Sequence, residues 1–149
     1  MENPRVLYIG DDIFRSKIEE RLKEPIALAG NAETALRMLS QNAYSCILIS
    51  PNLSPGGSYS GGRENRANSR PKASLENIAS MYVLRQIIAD GSKNRETQVL
   101  IATSLESREN PVKRLLKAAK DFGNVSYFNV ASGYEVLAES IRSYLPKPR

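Results

Sequence analysis

The chain has 149 residues, 41% hydrophobic and 25% charged, with a formal net charge of +5 from 21 basic and 16 acidic side chains. That is an ordinary balance for one globular domain able to bury a core, and its modest positive excess would suit an acidic partner without fixing a fold. There is no histidine, which takes away the commonest general base and metal ligand, and with them a Ser-His-Asp hydrolase or a zinc site.

No apolar run approaches the ~20 residues that span a bilayer. The start "MENPRVLYIGDD" lacks the basic, apolar and small-residue succession of a secretory signal. The one cysteine, Cys46, lies inside an apolar run and reads as a small core residue. A cytoplasmic protein without membrane contact is expected.

Along the chain two periodicities alternate. "RVLYIG" (5–10) is a short β-rich run, followed by Asp11-Asp12. Phe14, Ile18 and Leu22 then fall on one helix face, and Pro25 ends the helix. "IALAG" (26–30) is a second strand, and Asn31 caps a helix with the stripe Ala32, Ala35, Leu36 and Leu39. "YSCILIS" (44–50) is a third strand, whose unbroken apolar character suits burial on both faces.

Ser74 opens a helix carrying Ile78, Met81, Leu84 and Ile88, ending near Asp90-Gly91. "QVLIATS" (98–104) is a fourth strand. Asn110-Pro111 starts a helix with Val112, Leu115, Leu116 and Ala119 as its stripe, stopping by Gly123. "VSYFNV" (125–130) is the fifth strand. Ser132 to Glu135 matches a capping box for a last helix lined by Leu137, Ile141, Tyr144 and Leu145. Five βα units of this length predict an α/β doubly wound fold, with a parallel sheet covered by helices on both faces. Ligands and chemistry in such sheets gather at the carboxyl ends of the strands.

Those ends carry Asp11-Asp12, Ser50, Thr103-Ser104 and Val130-Ala131. With the five-fold alternation they give the chain, over nearly its whole length, a resemblance to the receiver domain of two-component response regulators. The resemblance implies a flavodoxin-like (βα)5 sandwich with strand order 2-1-3-4-5. In an active receiver an acid pair after the first strand and an aspartate ending the third hold Mg²⁺, and that aspartate takes the phosphoryl group. A Thr or Ser after the fourth strand and a Lys after the fifth contact the phosphoryl oxygens. Asp11 and Asp12 match the acid pair, Thr103 the hydroxyl, and Tyr127 the aromatic that reports the switch.

Two positions depart from that pattern. The acceptor aspartate is Ser50, and the lysine is Val130, with Ala131 where a proline is usual. A carboxylate is ionised at neutral pH, whereas a serine hydroxyl needs a base to attack phosphorus. Valine supplies no cation for the transferred charge, and two carboxylates make a poor Mg²⁺ site. The resemblance is therefore to a degenerate form, a pseudo-receiver: no enzyme, no catalytic residue, no cofactor, and at best weak Mg²⁺ at Asp11 and Asp12. The same acid pair also suits a solvated helix start, where carboxylates favour the positive end of the helix dipole.

Between Ser50 and Ser74 runs "PNLSPGGSYSGGRENRANSRPKA", with four glycines and three prolines in 23 residues. A connection beyond roughly 12–15 residues signals function or disorder. Here the dearth of apolar side chains favours a flexible insertion over 51–73 within a single domain spanning 1–149. Its second half sets Arg63, Arg66, Arg70 and Lys72 against Glu64 alone. This basic stretch is the ground for an alternative, a nucleic-acid or nucleotide-associated protein. "GGSYSGG" lacks the lysine and spacing of a P-loop.

The leading expectation is a stand-alone signalling module that acts by binding a protein partner. By analogy with the family's habitual partner face, the surface would include Arg114, Lys117, Tyr127 and Tyr134.

Overall fold

A computed structural model describes residues 4–11, 14–54 and 72–145, with side chains in the last segment from residue 75 on. The elements are β1 (Val6–Ile9), α1 (Arg15–Leu22), β2 (Ile26–Ala29), α2 (Ala32–Gln41), β3 (Cys46–Ile49), α3 (Lys72–Ile88), β4 (Gln98–Thr103), α4 (Asn110–Ala118), β5 (Val125–Asn129) and α5 (Tyr134–Tyr144). All pairings are parallel and the order is β2-β1-β3-β4-β5, as expected.

Every residue of β1 and β3 is buried, because central strands of a doubly wound sheet are covered on both faces. One face packs Leu7, Ile9, Ile47, Ile49, Val99 and Ile101 against α2, α3 and α4. The other packs Val6, Tyr8, Leu48, Leu100 and Val130 against α1 and α5.

Local signals account for most boundaries. The Asn31 carboxamide accepts from the Thr34 N–H at 2.7 Å and starts α2. Lys23, at φ 60°, ends α1 in a left-handed turn ahead of Pro25. Pro111 occupies the first turn of α4.

Four expectations need correction. The capping box is not formed: Val130–Ser132 make a 3₁₀ turn, Gly133 at φ 115° is the N-cap of α5, and no side chain caps that helix. Strand β5 consequently stops at Asn129, and Asn129 Oδ1 accepts from the Ala131 N–H at 2.9 Å. Ile78 is 43% exposed, because α3 turns Ala79, Val83, Leu84 and Ile87 inward and holds residue 78 on the far side.

The fourth correction concerns the limits 51–73 given for the flexible stretch: its described ends, 51–54 and 72–73, are held in the fold. Pro51 and Leu53 are buried, Leu53 N–H donates to Glu76 O at 3.0 Å, and Ala32 N–H donates to Ser54 O at 2.7 Å. Lys72 already belongs to α3. Residues 55–71, with Arg63, Arg66 and Arg70, lie outside the described residues.

Candidate functional site

The carboxyl ends of β1, β3, β4 and β5 bring Gly10, Asp11, Ser50, Thr103 and Asn129 to one edge of the sheet. Asp11 is exposed, and Asp12 lies outside the described residues. Gly10 is buried at φ 154°, a conformation L side chains rarely adopt. A Cβ built there would stand 2.8 Å from Ser50 Cβ and 3.4 Å from the Tyr8 ring. The ends of β1 and β3 are thus in direct contact where the acid pair begins, and the Tyr8 ring fills the space below them.

Ser50 is half-buried, and its hydroxyl is engaged locally. Oγ donates to Asn52 O at 2.9 Å and accepts from the Asn52 N–H at 3.2 Å. Its main chain is held as well: Ser50 N–H donates to Ile9 O at 2.8 Å, and the fully buried Ser80 Oγ donates to Ser50 O at 2.7 Å. One residue on, Asn77 Nδ2 donates to Pro51 O at 2.8 Å and to Pro111 O at 3.1 Å. The start of the β3–α3 connection is therefore fixed by α3. The serine hydroxyl closes a turn onto the main chain of Asn52, and none of its hydrogen bonds among the described residues goes to a basic side chain.

Thr103 is 7% exposed, and its Oγ1 accepts from the Leu105 N–H at 3.1 Å. Tyr127 is half-buried on the α4 face, and its hydroxyl donates to Leu105 O at 2.6 Å. Both hydroxyls thus grip the main chain of one residue in the β4–α4 turn. Val130 is 6% exposed and packs with Leu137, Ala138 and Ile141. Where the resemblance implies a lysine, the chain has a core residue.

The remaining surface residues do not form one patch. Arg114 Nη1 donates to Asn77 Oδ1 at 3.1 Å on the α3 flank of α4. Lys117 is exposed, about one turn from both Lys113 and Arg114 on α4. Tyr134 sits on the α1–α5 seam, where its ring lies 6.2 Å from Phe14 and beneath Lys17 Nζ at 5.6 Å and Arg21 Cζ at 5.7 Å.

Burial pushes the Cys46 thiol up to about 12, far from a reactive thiolate. Burial also raises the Tyr44 phenol, against the opposing hydrogen bond from Asn42. Both residues lie at the amino end of the sheet, away from Ser50.

The sequence reading passed over Gly10, Asn77, Ser80 and Leu105. A signal existed for Asn77 and Ser80: two polar residues fall on the inward face of a helix pattern, where a buried polar group must have partners. None existed for Leu105, whose role is played by its main chain.

No protein-family model matches the chain, and no curated protein matches it. Solved structures do. The signal receiver domain of an HD domain-containing protein from Pseudomonas fluorescens is 14% identical with a TM-score of 0.61, over 97% of this chain and 88% of that one. The receiver domain of a sensor histidine kinase from Pseudomonas aeruginosa, solved with a magnesium ion coordinated in its active site cleft, is 13% identical with a TM-score of 0.62, over 96% and 98%. The receiver domain of a Francisella response regulator is 19% identical with a TM-score of 0.58, over 95% and 96%. This chain has the receiver fold, at identities that speak for the fold alone.

Proposed function

We propose that this chain is a pseudo-receiver: a signalling module that acts by protein–protein interaction, without aspartyl phosphorylation and without enzymatic activity. One observation carries the reading. At the carboxyl end of β3 stands the neutral hydroxyl of Ser50, closed onto the main chain of Asn52 at 2.9 and 3.2 Å. A hydroxyl held in this way is a poor nucleophile without a base, and the histidine-free sequence narrows the choice of base further.

Val130, packed on α5, supports the same reading, since the position has no cation for transferred phosphoryl charge. The donor set is a poor fit for Mg²⁺, a hard cation that prefers charged oxygens: where the resemblance implies a third carboxylate, Ser50 offers a neutral oxygen already in use. Mg²⁺ affinity no stronger than millimolar follows from this set. What remains is a scaffold whose surface is available to a partner.

The test is intact-mass spectrometry after incubation with acetyl phosphate and Mg²⁺. The expected result is an unchanged mass. One added phosphoryl group, mapped to any residue near β3, overturns the proposal.

A further inference from the structure

Helix α3 has two apolar faces. Its inner side carries the buried Ala79, Val83, Leu84 and Ile87. On its outer side Leu75, Ile78, Tyr82 and Arg85 follow one another at intervals of three, four and three residues. At 100° per residue that keeps them within about 80° of arc, and it is the spacing of a helix–helix seam. Ile78 is 43% and Tyr82 53% exposed, and with Val136 they are the exposed large hydrophobics among the described residues. The outer side of a surface helix is ordinarily polar, so an apolar stripe there marks a place of contact.

A cleft of about 400 Å³ opens beside this stripe, between the C-terminal halves of α2 and α3. Leu36, Leu39 and Tyr82 give it apolar walls, and Ser40, Gln86 and Lys93 bring polar groups to it. Arg85 and Lys93 are exposed and take part in none of the ion pairs among the described residues. The acid closest to both in sequence, Asp90, pairs with Arg95 at 3.4 Å. Glu33 and Glu76 stand near the starts of α2 and α3, at the carboxyl edge of the sheet, whereas Lys93 lies ahead of β4 at the amino edge. The groove is therefore apolar along its length and basic at its amino-edge end.

We infer that this groove takes an amphipathic helix of a partner protein. The helix lays an apolar seam on Leu75, Ile78 and Tyr82, places one large side chain in the cleft, and meets Arg85 and Lys93 with carboxylates. The inference rests on the partner-binding reading above and specifies the chemistry of that partner. Acidic residues favour the first turn of a helix, so the bound helix starts at the Lys93 end and runs antiparallel to α3.

A second copy of this chain fits poorly. Two α3 helices packed in parallel set Arg85 against Arg85. Packed antiparallel about Tyr82, they set each Arg85 against the apolar stretch at Ile78, where its charge has no partner.

The test uses a blocked helical peptide of about five turns, with glutamates in its first turn, leucines at 3-4 spacing and one tryptophan in that seam. This chain has no tryptophan, so indole fluorescence reports the peptide alone. Saturable binding with a blue shift is expected. Tyr82→Ala should weaken it tenfold or more. A peptide of the same composition with the seam scrambled should not bind, and one with lysines for the glutamates should bind the wild type at least tenfold more weakly. Arg85→Glu/Lys93→Glu should reverse that preference. All three side chains are exposed, and the swap of peptide charge on the wild-type chain needs no variant to fold. Absence of saturable binding at millimolar peptide, equal binding of the scrambled peptide, or a dimer of the chain that Tyr82→Ala dissolves each overturns the inference. None of these outcomes touches the phosphodonor result, so the groove and the pseudo-receiver reading stand or fall separately.

Discussion

Replacing Asn77 by alanine tests whether α3 fixes the chain that leaves β3. The side chain is 1% exposed. It donates to two carbonyls, at 2.8 Å to Pro51 and 3.1 Å to Pro111, and accepts from Arg114 at 3.1 Å. Truncation removes both donors, and a buried group left without a partner costs about 1–3 kcal/mol. Pro51 is buried and Pro111 only partly so, which places the first carbonyl near the middle of that range and the second near its foot. With a small term for the vacated amide volume, the loss comes to about 3 kcal/mol.

For a chain of this length that is a fall in Tm of about 6–12 °C, together with a lower urea midpoint at unchanged m-value. Arg114→Ala is the control. It takes the partner from a single acceptor, Asn77 Oδ1, and leaves both carbonyls bonded, so its cost should be about 1 kcal/mol. If Asn77→Ala unfolds within about 1 kcal/mol of the wild type, the two carbonyls do not depend on Asn77, and the anchoring of Pro51 described above is wrong.

Gly10→Ala should cost about 2–4 kcal/mol, because strain at positive φ and overpacking against Ser50 Cβ, 2.8 Å from the new methyl, act together. Chemical denaturation measures it, and a neutral outcome would mean that β1 and β3 separate easily at this end. The Cys46 thiol, pushed up to about 12 by burial from its ordinary 9.0, gives stability a pH dependence at the alkaline end. The folded value is the higher one, so the contribution is complete below about pH 9 and is lost as pH rises toward 12. Between pH 9 and 10 the wild type should lose about 1 kcal/mol more than Cys46→Ala. Equal slopes for the two proteins would show a thiol that ionises freely.

The alternation of apolar runs with helical stripes made all ten main elements and a parallel sheet readable, because continuous runs such as 46–49 and capped stripes such as 31–39 obey local rules; the strand order came only with the receiver resemblance. Boundaries failed where a longer-range preference won. Ser132 and Glu135 have capping-box spacing, yet Val130 is drawn into the α5 core, which winds 130–132 into a 3₁₀ turn and leaves Gly133 as the cap. Ile78 fitted the helix period and still faces solvent, because Asn77 and Ser80 claim the inward positions to bind Pro51 and Ser50. The residue types at the strand ends, Ser50 and Val130 above all, could be read directly from the sequence. The wiring of the site could not, since bonds to main-chain atoms such as those of Leu105 leave no trace in side-chain identity.

Those two bonds at Leu105 bear on how such a domain could carry a message. Thr103 holds the N–H and Tyr127 the C=O of one residue, so the β4–α4 turn leaves its resting shape only by surrendering both. At about 1 kcal/mol each, that bias alone keeps the displaced form to a few per cent of molecules. Driving the turn to about 99% the other way takes differential binding of about 5 kcal/mol, more than a few surface contacts supply. A partner that favours the displaced shape by that much resets the turn, and one with a smaller preference leaves it as it stands.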